Sequence, residues 1–301
     1  MALIKEYQYR WYETVALNIV KMGKIPRHIA FIMDGNRRFA RMLNVDKIDG
    51  HMKGYEKMSE CLKWCLDIGV KEVTTYAFSI ENFKRTADEV DALMSFAKDQ
   101  FSRLVAEEDR LRNEGVKIRI IGNLSMLPKD LQEVLAKAML ITEHNDKLFL
   151  NIALAYTSRE EMANAIHNII EESDDGLKAE DIKEDLVRQC LYTKESQEPD
   201  LLIRTSGESR ISDFLMWQLS ATVLFFTKVL WPEISLLEFV YGIFFYQRAS
   251  FSLSDFRQRL QQQIVKSTEF IPDRVRDFLQ KVDARRRAYL VGLTNESVKQ
   301  D

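Results

Sequence analysis

Short runs of consecutive apolar residues alternate along the chain with longer segments in which apolar residues recur every three or four positions. The apolar runs are nearly continuous, as expected of strands that are covered by helices on both faces. Six runs predict strands, at 28–33, 73–78, 116–122, 148–156, 200–205 and 222–226. Their alternation with helical segments predicts an α/β fold with a mainly parallel central sheet flanked by helices.

The segments between these runs carry signals that begin helices. Helices are predicted at 51–68, 86–113, 128–143 and 158–172. The second opens with Thr-Ala-Asp-Glu and the fourth with Ser-Arg-Glu-Glu, both typical of a capping box. Pro128 suits the first turn of the third. In a mainly parallel sheet, ligands bind beyond the carboxyl ends of the strands, so the residues that follow each strand are the candidates for function.

The two ends of the chain extend this pattern. Residues 1–24 predict an amphipathic N-terminal helix and residues 251–301 a charged helical tail, which leaves one α/β domain at 25–250. The polar segment 172–199 predicts a surface excursion. The most apolar stretch, 236–246, is too short to span a membrane and could be a buried helix, a partner-binding helix or a surface that rests on lipid.

Composition adds few constraints. The 301 residues have a formal net charge of −3, which gives no general reason to expect nucleic-acid binding. Any anion site must therefore come from locally arranged Arg and Lys. Cys61 and Cys65 stand four apart in a helical segment, which favours packed thiols, and no Cys/His spacing resembles a zinc site.

The first strand runs into a candidate phosphate site, Asp34-Gly35-Asn36-Arg37-Arg38. Gly35 allows a tight turn, and the exposed N–H groups of the helix that follows favour a phosphate, as do Arg37 and Arg38. Asp34 would repel phosphate unless a cation lay between them, which suggests Mg²⁺. A turn followed by a helix cap explains the same residues equally well.

Two further loops follow strands and carry positive charge. Residues 77–85 combine Phe78, Ser79, Asn82 and Phe83 with Lys84 and Arg85, a mixture that could hold a diphosphate beside an apolar or cationic carbon centre. A polar loop with packed aromatic rings is the simpler reading. Residues 204–212 place Arg204, Arg210 and Ser212 within nine residues, again suited to phosphate. His51 is a further candidate phosphate ligand.

Together the three loops suggest one cleft with room for two diphosphates. Neither a Walker A loop nor a GxGxxG sequence is present, so the usual signals of a nucleotide pocket are missing. A non-catalytic subunit that binds anions or acts as a scaffold is an alternative from a different class.

Four blocks of sequence resemble the cis-prenyltransferase family, also called undecaprenyl diphosphate synthase-like. They are HIAFIMDGNRRFA, AFSIENFKR, DLLIRTSGESRISDFLMWQ and LWPE, in the order in which that family has them. Arg37 stands where bacterial members usually have Gly. Arg37 and the motifs SIENFKR and RTSGE together resemble most the eukaryotic catalytic subunits that make dehydrodolichyl diphosphate.

The resemblance implies an enzyme that adds isopentenyl diphosphate to farnesyl diphosphate, with Mg²⁺, to make a long polyprenyl diphosphate for dolichol and protein glycosylation at the cytoplasmic face of the endoplasmic reticulum. It implies that Asp34 holds the metal and that Asn36 lies at the reacting centre. Gly35, Arg37, Arg38 and His51 would bind the allylic diphosphate. Arg85, Arg204, Arg210 and Ser212 would bind isopentenyl diphosphate, with Phe78, Ser79, Asn82 and Phe83 lining the space between the substrates.

A growing hydrocarbon also needs an apolar tunnel. Candidate lining residues on the predicted helices are Leu62, Leu66, Leu93, Phe96 and Phe101, although core packing is the simpler reading for each. The paired DDxxD carboxylates of trans-prenyltransferases find no match, because Asp174-Asp175 is followed by Gly-Leu-Lys in a polar segment.

Three departures from the family pattern bear on assembly. Val223 stands near the position of a glutamate that helps to hold the metal in bacterial homodimers, and Lys47 replaces a common arginine. The C-terminal residues also lack the Arg-X-Gly segment that completes a neighbouring subunit's site. The resemblance therefore implies a homologous partner of the Nogo-B-receptor type, which would supply that segment and a membrane anchor. The N-terminal helix is expected to lie at the tunnel mouth or to make peripheral contact with the membrane surface, and simple packing on the body explains its apolar residues equally well.

Overall fold

Six parallel strands form one sheet at the centre of the computed structural model, which describes residues 3–171, 177–268 and 271–295. The strands are β1 (His28–Ile32), β2 (Glu72–Ser79), β3 (Val116–Ile121), β4 (Leu148–Tyr156), β5 (Leu201–Arg204) and β6 (Val223–Phe226). Their order across the sheet is β3-β4-β2-β1-β5-β6, and every neighbouring pair is parallel. The predicted α/β class and the six strands are confirmed.

Ten α-helices are present in the described part of the chain. They are α1 (Trp11–Lys21), α2 (Asn36–Leu43), α3 (Lys47–Ile68), α4 (Ala87–Ala106), α5 (Glu108–Glu114), α6 (Lys129–Ile141), α7 (Ser158–Glu171), α8 (Glu184–Cys190), α9 (Leu236–Thr268) and α10 (Asp273–Asn295). The helix predicted at 86–113 is wrong in one respect: Glu107 leaves the helical conformation and separates α4 from α5. Helix α3 begins at Lys47, four residues before the predicted start at His51.

The capping boxes predicted from sequence are not formed as expected. Thr86 makes no side-chain hydrogen bond to the first turn of α4, and the Glu89 carboxylate accepts hydrogen bonds from Lys47 and Arg85. At α7 the cap comes one residue earlier, where Thr157 Oγ1 accepts a hydrogen bond from the Glu160 N–H.

The terminal helices pack on the α/β body. Helix α1 buries Leu17 and Val20, and α10 buries Val275, Phe278 and Val282. Helix α9 continues through position 250, where the sequence suggested that a tail begins. Asp174-Asp175 and residues 296–301 lie outside the described residues. Within the described residues, none of the helices is both long enough and apolar enough to cross a bilayer.

The topology brings the candidate loops together. Strand β1 lies between β2 on one side and β5 on the other, so the chain leaves β1 in one direction and later returns to its opposite side. Such a switch point opens a crevice at the carboxyl ends of the strands. The residues that follow β1, β2 and β5 all reach this crevice.

Candidate active site

One cavity of about 1000 Å³ opens at the carboxyl ends of β1, β2 and β5. Four arginines from separate positions in the sequence meet there, namely Arg38 on α2, Arg85 after β2, Arg204 on β5 and Arg210 in the following loop. Apart from Phe83, all the residues expected to bind the metal or a diphosphate, or to lie between the two substrates, line this cavity: Asp34, Gly35, Asn36, Arg37, Arg38, His51, Phe78, Ser79, Asn82, Arg85, Arg204, Arg210 and Ser212. The geometry therefore concentrates cations at a single place, as the sequence predicted.

Arg204 connects the first loop to the third. Its side chain is 3% exposed, and one terminal nitrogen donates to Asp34 Oδ2 over 2.9 Å. The other donates to Ser212 Oγ over 2.8 Å and also to the carbonyl of Arg210. Arg38 lies 3.9 Å from Asp34 Oδ1. Asp34 is thus held on one oxygen by a buried guanidinium, while its other oxygen has only a distant cation.

The third loop is held in a strained backbone conformation. Ser212 and Asp213 have φ angles of 53° and 57°, in the left-handed region that side chains other than glycine seldom adopt. The Asp213 carbonyl accepts a 2.8 Å hydrogen bond from the Ser158 N–H, and its carboxylate accepts one of 2.8 Å from Arg159 Nε. Tyr76 stacks on Phe214 with ring centroids 4.4 Å apart. These contacts explain how the strain is sustained beside a functional site.

Asn36 stands in a groove made by two glycines of α3. A Cβ atom at Gly54 would lie 2.3 Å from Asn36 Oδ1, and one at Gly50 would lie 2.4 Å from the Asn36 carbonyl oxygen. Asn36 Nδ2 donates to the Met33 carbonyl over 3.2 Å, whereas Oδ1 is buried without a partner in the described structure. An unpaired buried acceptor of this kind is costly and favours a role towards a ligand.

Trp231 of the LWPE block holds the turn between β1 and α2 against α3. Its indole N–H donates to the Gly54 carbonyl over 2.8 Å, and its backbone N–H donates to the Asp34 carbonyl over 3.0 Å. Thr205 Oγ1 donates to the same Asp34 carbonyl over 2.7 Å. The sequence alone does not single out Trp231 within the LWPE block, because its contacts depend on how α3 packs.

The loop after β2 folds into a 3₁₀ turn that is capped by its own polar residues. Ser79 Oγ accepts from the Glu81 N–H, and Asn82 Oδ1 accepts from the Ser79 N–H. Phe78 lines the cavity, whereas the Phe83 ring packs edge-on behind it, 4.9 Å away between centroids. Phe83 thus supports the wall and is not among the residues that line the cavity.

The inner half of the cavity is apolar. Helix α4 contributes Leu93, Phe96 and Phe101, as the sequence suggested. Leu62 instead belongs to the core and the partly buried Leu66 packs against it, while α3 contributes Tyr55 and Met58 to the lining. Leu3 from the N-terminal segment also lines the cavity, and no sequence signal pointed to it. An apolar arm therefore leads away from the cationic entrance.

His51 lies partly buried beside the arginines. Burial, together with the charges of Arg85 and Arg37, lowers the pKa of His51 to about 4, although Glu89 acts in the opposite direction. The imidazole is therefore neutral at physiological pH. Its Nε2 atom is buried without a hydrogen-bond partner in the described structure, which leaves it available to a ligand.

The depressed pKa of His51 predicts a pH-dependent stability. Between about pH 6.5 and pH 4 the unfolded chain takes up a proton at this residue that the folded chain refuses, so the free energy of unfolding falls as the pH falls. Protonation of this single site should lower the free energy of unfolding by roughly 1.4 kcal/mol per pH unit inside that window, and should have no effect above it. Urea denaturation at pH 7.5 and pH 5.0 should show a smaller decrease for His51→Asn than for wild type. Equal decreases would contradict the assignment.

Metal binding would need more than protein side chains. Within the described residues there is no group of three or more His, Cys, Asp or Glu that could hold a metal ion. Asp34 contacts one arginine of the first loop and one of the third, with Oδ1 3.9 Å from Arg38 and Oδ2 2.9 Å from Arg204. Any cation here would have to share its ligands with bound phosphates.

Comparison with known proteins decides the family. Residues 32–252 match a family model described as "Putative undecaprenyl diphosphate synthase", and this match includes all three basic loops. The chain belongs to the undecaprenyl diphosphate synthase-like family of cis-prenyltransferases. The resemblance seen in the sequence blocks is confirmed, and a non-catalytic role is not favoured.

Relatives of this cis-prenyltransferase include eukaryotic complex subunits. The dehydrodolichyl diphosphate synthase complex subunit of Homo sapiens is 51% identical over 234 residues, covering 77% of this chain and 70% of the relative. The corresponding subunit of Schizosaccharomyces pombe is 46% identical over 237 residues, covering 78% and 90%.

Solved structures agree on the fold. Lavandulyl diphosphate synthase from Lavandula x intermedia, in complex with dimethylallyl diphosphate, superposes with a TM-score of 0.68 and 31% identity. That comparison covers 74% of this chain and 95% of the other.

Val223 lies far from the metal candidate of the cis-prenyltransferase. It begins β6 and pairs with Leu201, whereas Phe226 at the other end of β6 pairs with Arg204 beside Asp34. Three residues of strand, roughly 10 Å, separate the two ends. Within one chain, a glutamate at position 223 would therefore not reach Asp34.

Proposed function

We propose that this chain condenses isopentenyl diphosphate onto an allylic diphosphate, with farnesyl diphosphate as primer, to make a long polyprenyl diphosphate for dolichol synthesis and protein glycosylation. The observation that carries the proposal is the meeting of four arginines and Asp34 at the mouth of a cavity whose inner half is apolar. Diphosphate heads would bind at the mouth, and the growing hydrocarbon would extend inwards.

The loops divide between the two substrates. Gly35, Arg37, Arg38 and His51 would bind the allylic diphosphate, since α2 begins at Asn36 and offers its free N–H groups there. Arg85, Arg204, Arg210 and Ser212 would bind the second diphosphate. Phe78, Ser79 and Asn82 would line the space between them, with Phe83 as support.

The residues match the charge changes of the reaction. When the allylic C–O bond breaks, the electron pair leaves with the diphosphate, and fixed guanidinium groups stabilise that charge. The double bond of isopentenyl diphosphate attacks the allylic carbon, and a proton then leaves the new cation. Asn36 Oδ1, buried and unpaired, would orient that proton towards a diphosphate oxygen, which is the stronger base. Bringing both substrates together supplies much of the rate.

The residues fit Mg²⁺ bound together with substrate. Asp34 keeps Oδ2 on Arg204, while Oδ1 has only Arg38 at 3.9 Å and would accept a cation. A single carboxylate with several phosphate oxygens is a common set of ligands for Mg²⁺. When bound, the ion would neutralise the leaving diphosphate.

An exposed apolar face supports a partner subunit. Leu237, Tyr241, Phe244 and Phe245 recur at helical spacing on one face of α9 and are all at least 40% exposed. A contiguous apolar surface of this kind is typical of an interface. We propose that a homologous subunit of the Nogo-B-receptor type covers it and supplies the C-terminal Arg-X-Gly segment. The relatives from Homo sapiens and Schizosaccharomyces pombe are themselves named complex subunits.

A second apolar stripe supports peripheral binding to the cytoplasmic face of the endoplasmic reticulum. Trp11, Val15 and Ile19 recur every four residues on the outer face of α1 and are 80%, 48% and 50% exposed. Such a stripe suits insertion among lipid head groups.

Changing this stripe should weaken membrane binding. We expect a triple change of Trp11, Val15 and Ile19 to Ser to reduce co-sedimentation with phosphatidylcholine vesicles by about tenfold, since each apolar side chain contributes to partitioning. Changing the exposed Ile166 and Ile182 to Ser is the matched control and should have no effect. Unchanged sedimentation of the triple variant would refute the lipid contact.

Product analysis tests the proposed function. The full chain is incubated with Mg²⁺, farnesyl diphosphate and labelled isopentenyl diphosphate, with and without the partner subunit. We expect long polyprenyl products only when both subunits are present. Absence of incorporation under both conditions would refute the function, whereas full-length products from the chain alone would refute only the need for a partner.

A further inference from the structure

Glu89 forms ion pairs with cations of the active site. Its side chain is 9% exposed and contacts three cations that come from three other segments. Lys47 Nζ lies 2.7 Å from Oε2, while Arg85 Nη1 and Arg37 Nη1 lie 3.0 Å and 3.5 Å from Oε1. One carboxylate oxygen is therefore shared by an arginine of the first loop and an arginine of the second.

The position of Glu89 is not explained by helix capping. It is the third residue of α4, where a glutamate ordinarily returns to cap its own helix. Thr86 at the cap position makes no side-chain hydrogen bond to the helix, and the Glu89 carboxylate points to the cations instead. Arg37 and Arg85 line the cavity, whereas Glu89 is not among its lining residues. The carboxylate thus stands behind the arginines.

The cations need such a counter-charge. Burial lowers the pKa of Arg85, and the neighbouring Arg37 charge lowers it further, whereas Glu89 raises it. Without the carboxylate, Arg37 and Arg85 would repel each other while the cavity holds no anion. Bonds from guanidinium to carboxylate also fix direction, because the planar group presents its donors in a rigid fork.

We propose that Glu89 is a positioning residue that couples the two diphosphate subsites, by holding Arg37 of the allylic subsite and Arg85 of the isopentenyl subsite on one oxygen. This inference rests on the proposed function. When a bound diphosphate draws one arginine towards itself, the ion pair between Glu89 and the other arginine changes.

Removing the negative charge of Glu89 distinguishes a role in positioning the two arginines from simple electrostatic repulsion of the diphosphate. A negative charge close to an anion site weakens binding by repulsion, so Glu89→Gln should strengthen diphosphate binding if repulsion were its only effect. If Glu89 sets the geometry of both arginines, the same change should weaken binding. The two explanations therefore predict opposite signs.

Calorimetric titration of the full chain together with its partner subunit, in the presence of Mg²⁺, gives the first readout, with isopentenyl diphosphate and the unreactive farnesyl thiodiphosphate as probes. We expect Glu89→Gln to bind both probes about tenfold more weakly, as the loss of charge-assisted hydrogen bonds implies. Glu89→Asp keeps the charge but shortens the reach, and should also bind both more weakly. Asp88→Asn, an equal change of charge at an exposed neighbour in α4, should bind like wild type.

The second readout is the energetic coupling between Glu89 and Arg85, which a purely structural role of Glu89 would not produce. Arg85→Ala should weaken farnesyl thiodiphosphate binding when Glu89 is present and leave it unchanged in a Glu89→Gln background. Equal or tighter binding by Glu89→Gln, or an Arg85→Ala effect of the same size in both backgrounds, would overturn the proposal. If wild type binds neither probe, the proposed function itself is refuted.

Discussion

Asp34→Asn is expected to lower kcat by about a thousandfold, the size typical of losing a group that stabilises charge in the transition state. Asparagine keeps an oxygen that can accept the Arg204 hydrogen bond, so the turn should retain its shape. What is lost is the negative charge that would hold Mg²⁺ on the substrate diphosphate. The measurement is isopentenyl diphosphate incorporation as a function of Mg²⁺ concentration, and half-saturation should move to higher Mg²⁺.

Asp46→Asn is the matched control. This residue lies exposed before α3, and its side chain makes no capping hydrogen bond to that helix. It should retain the wild-type kcat and Mg²⁺ dependence. If Asp34→Asn worked within threefold of wild type, the metal role of Asp34 would be untenable, whatever the control showed.

Gly54→Ala is expected to lower kcat by about a hundredfold, as displacement of a reacting group by about 1 Å can do. The added methyl group would lie 2.3 Å from Asn36 Oδ1 and 3.1 Å from Trp231 Cδ1. The nearest atom is the end of a side chain, so Asn36 can rotate away while the backbone stays in place. Alanine also favours the helix by about 1 kcal/mol over glycine, which offsets part of the strain. Activity should therefore fall much more than thermal stability.

Two other glycines serve as controls for this steric argument. Gly50→Ala would place its methyl group 2.4 Å from the Asn36 carbonyl oxygen, where the backbone must move, and should destabilise the fold by roughly 1–3 kcal/mol. Gly292→Ala in α10 meets nothing within 4 Å and should leave kcat unchanged. A Gly54→Ala enzyme with wild-type kcat would contradict the role of Asn36 at the reacting centre.

The strands and the three loops could be predicted because their signals are local. Apolar runs covered on both faces identify parallel strands, and the rule that ligands bind at carboxyl ends directs attention to Asp34, Arg85 and Arg204. The assignment of chemistry to those residues rested on the family resemblance. Spacing alone left a turn with a helix cap as an equal reading.

The rest depends on packing between distant segments. Gly54 matters only because α3 crosses the start of α2. Leu62 does not line the cavity, because the face of α3 that lines it carries Tyr55 and Met58. Glu89 shows a competition that sequence rules do not weigh. Its spacing from Thr86 predicts a cap, but three nearby cations offer the carboxylate stronger bonds.

The most direct test is a crystal structure of the protein with Mg²⁺, farnesyl thiodiphosphate and isopentenyl diphosphate, together with its partner if activity requires one. We expect both diphosphates in one cavity, one against Arg37 and Arg38 and the other against Arg85, Arg204 and Arg210, with Mg²⁺ on Asp34 and the farnesyl chain running towards Phe101. Head groups bound elsewhere, or a farnesyl chain directed out of the cavity, would contradict this expectation.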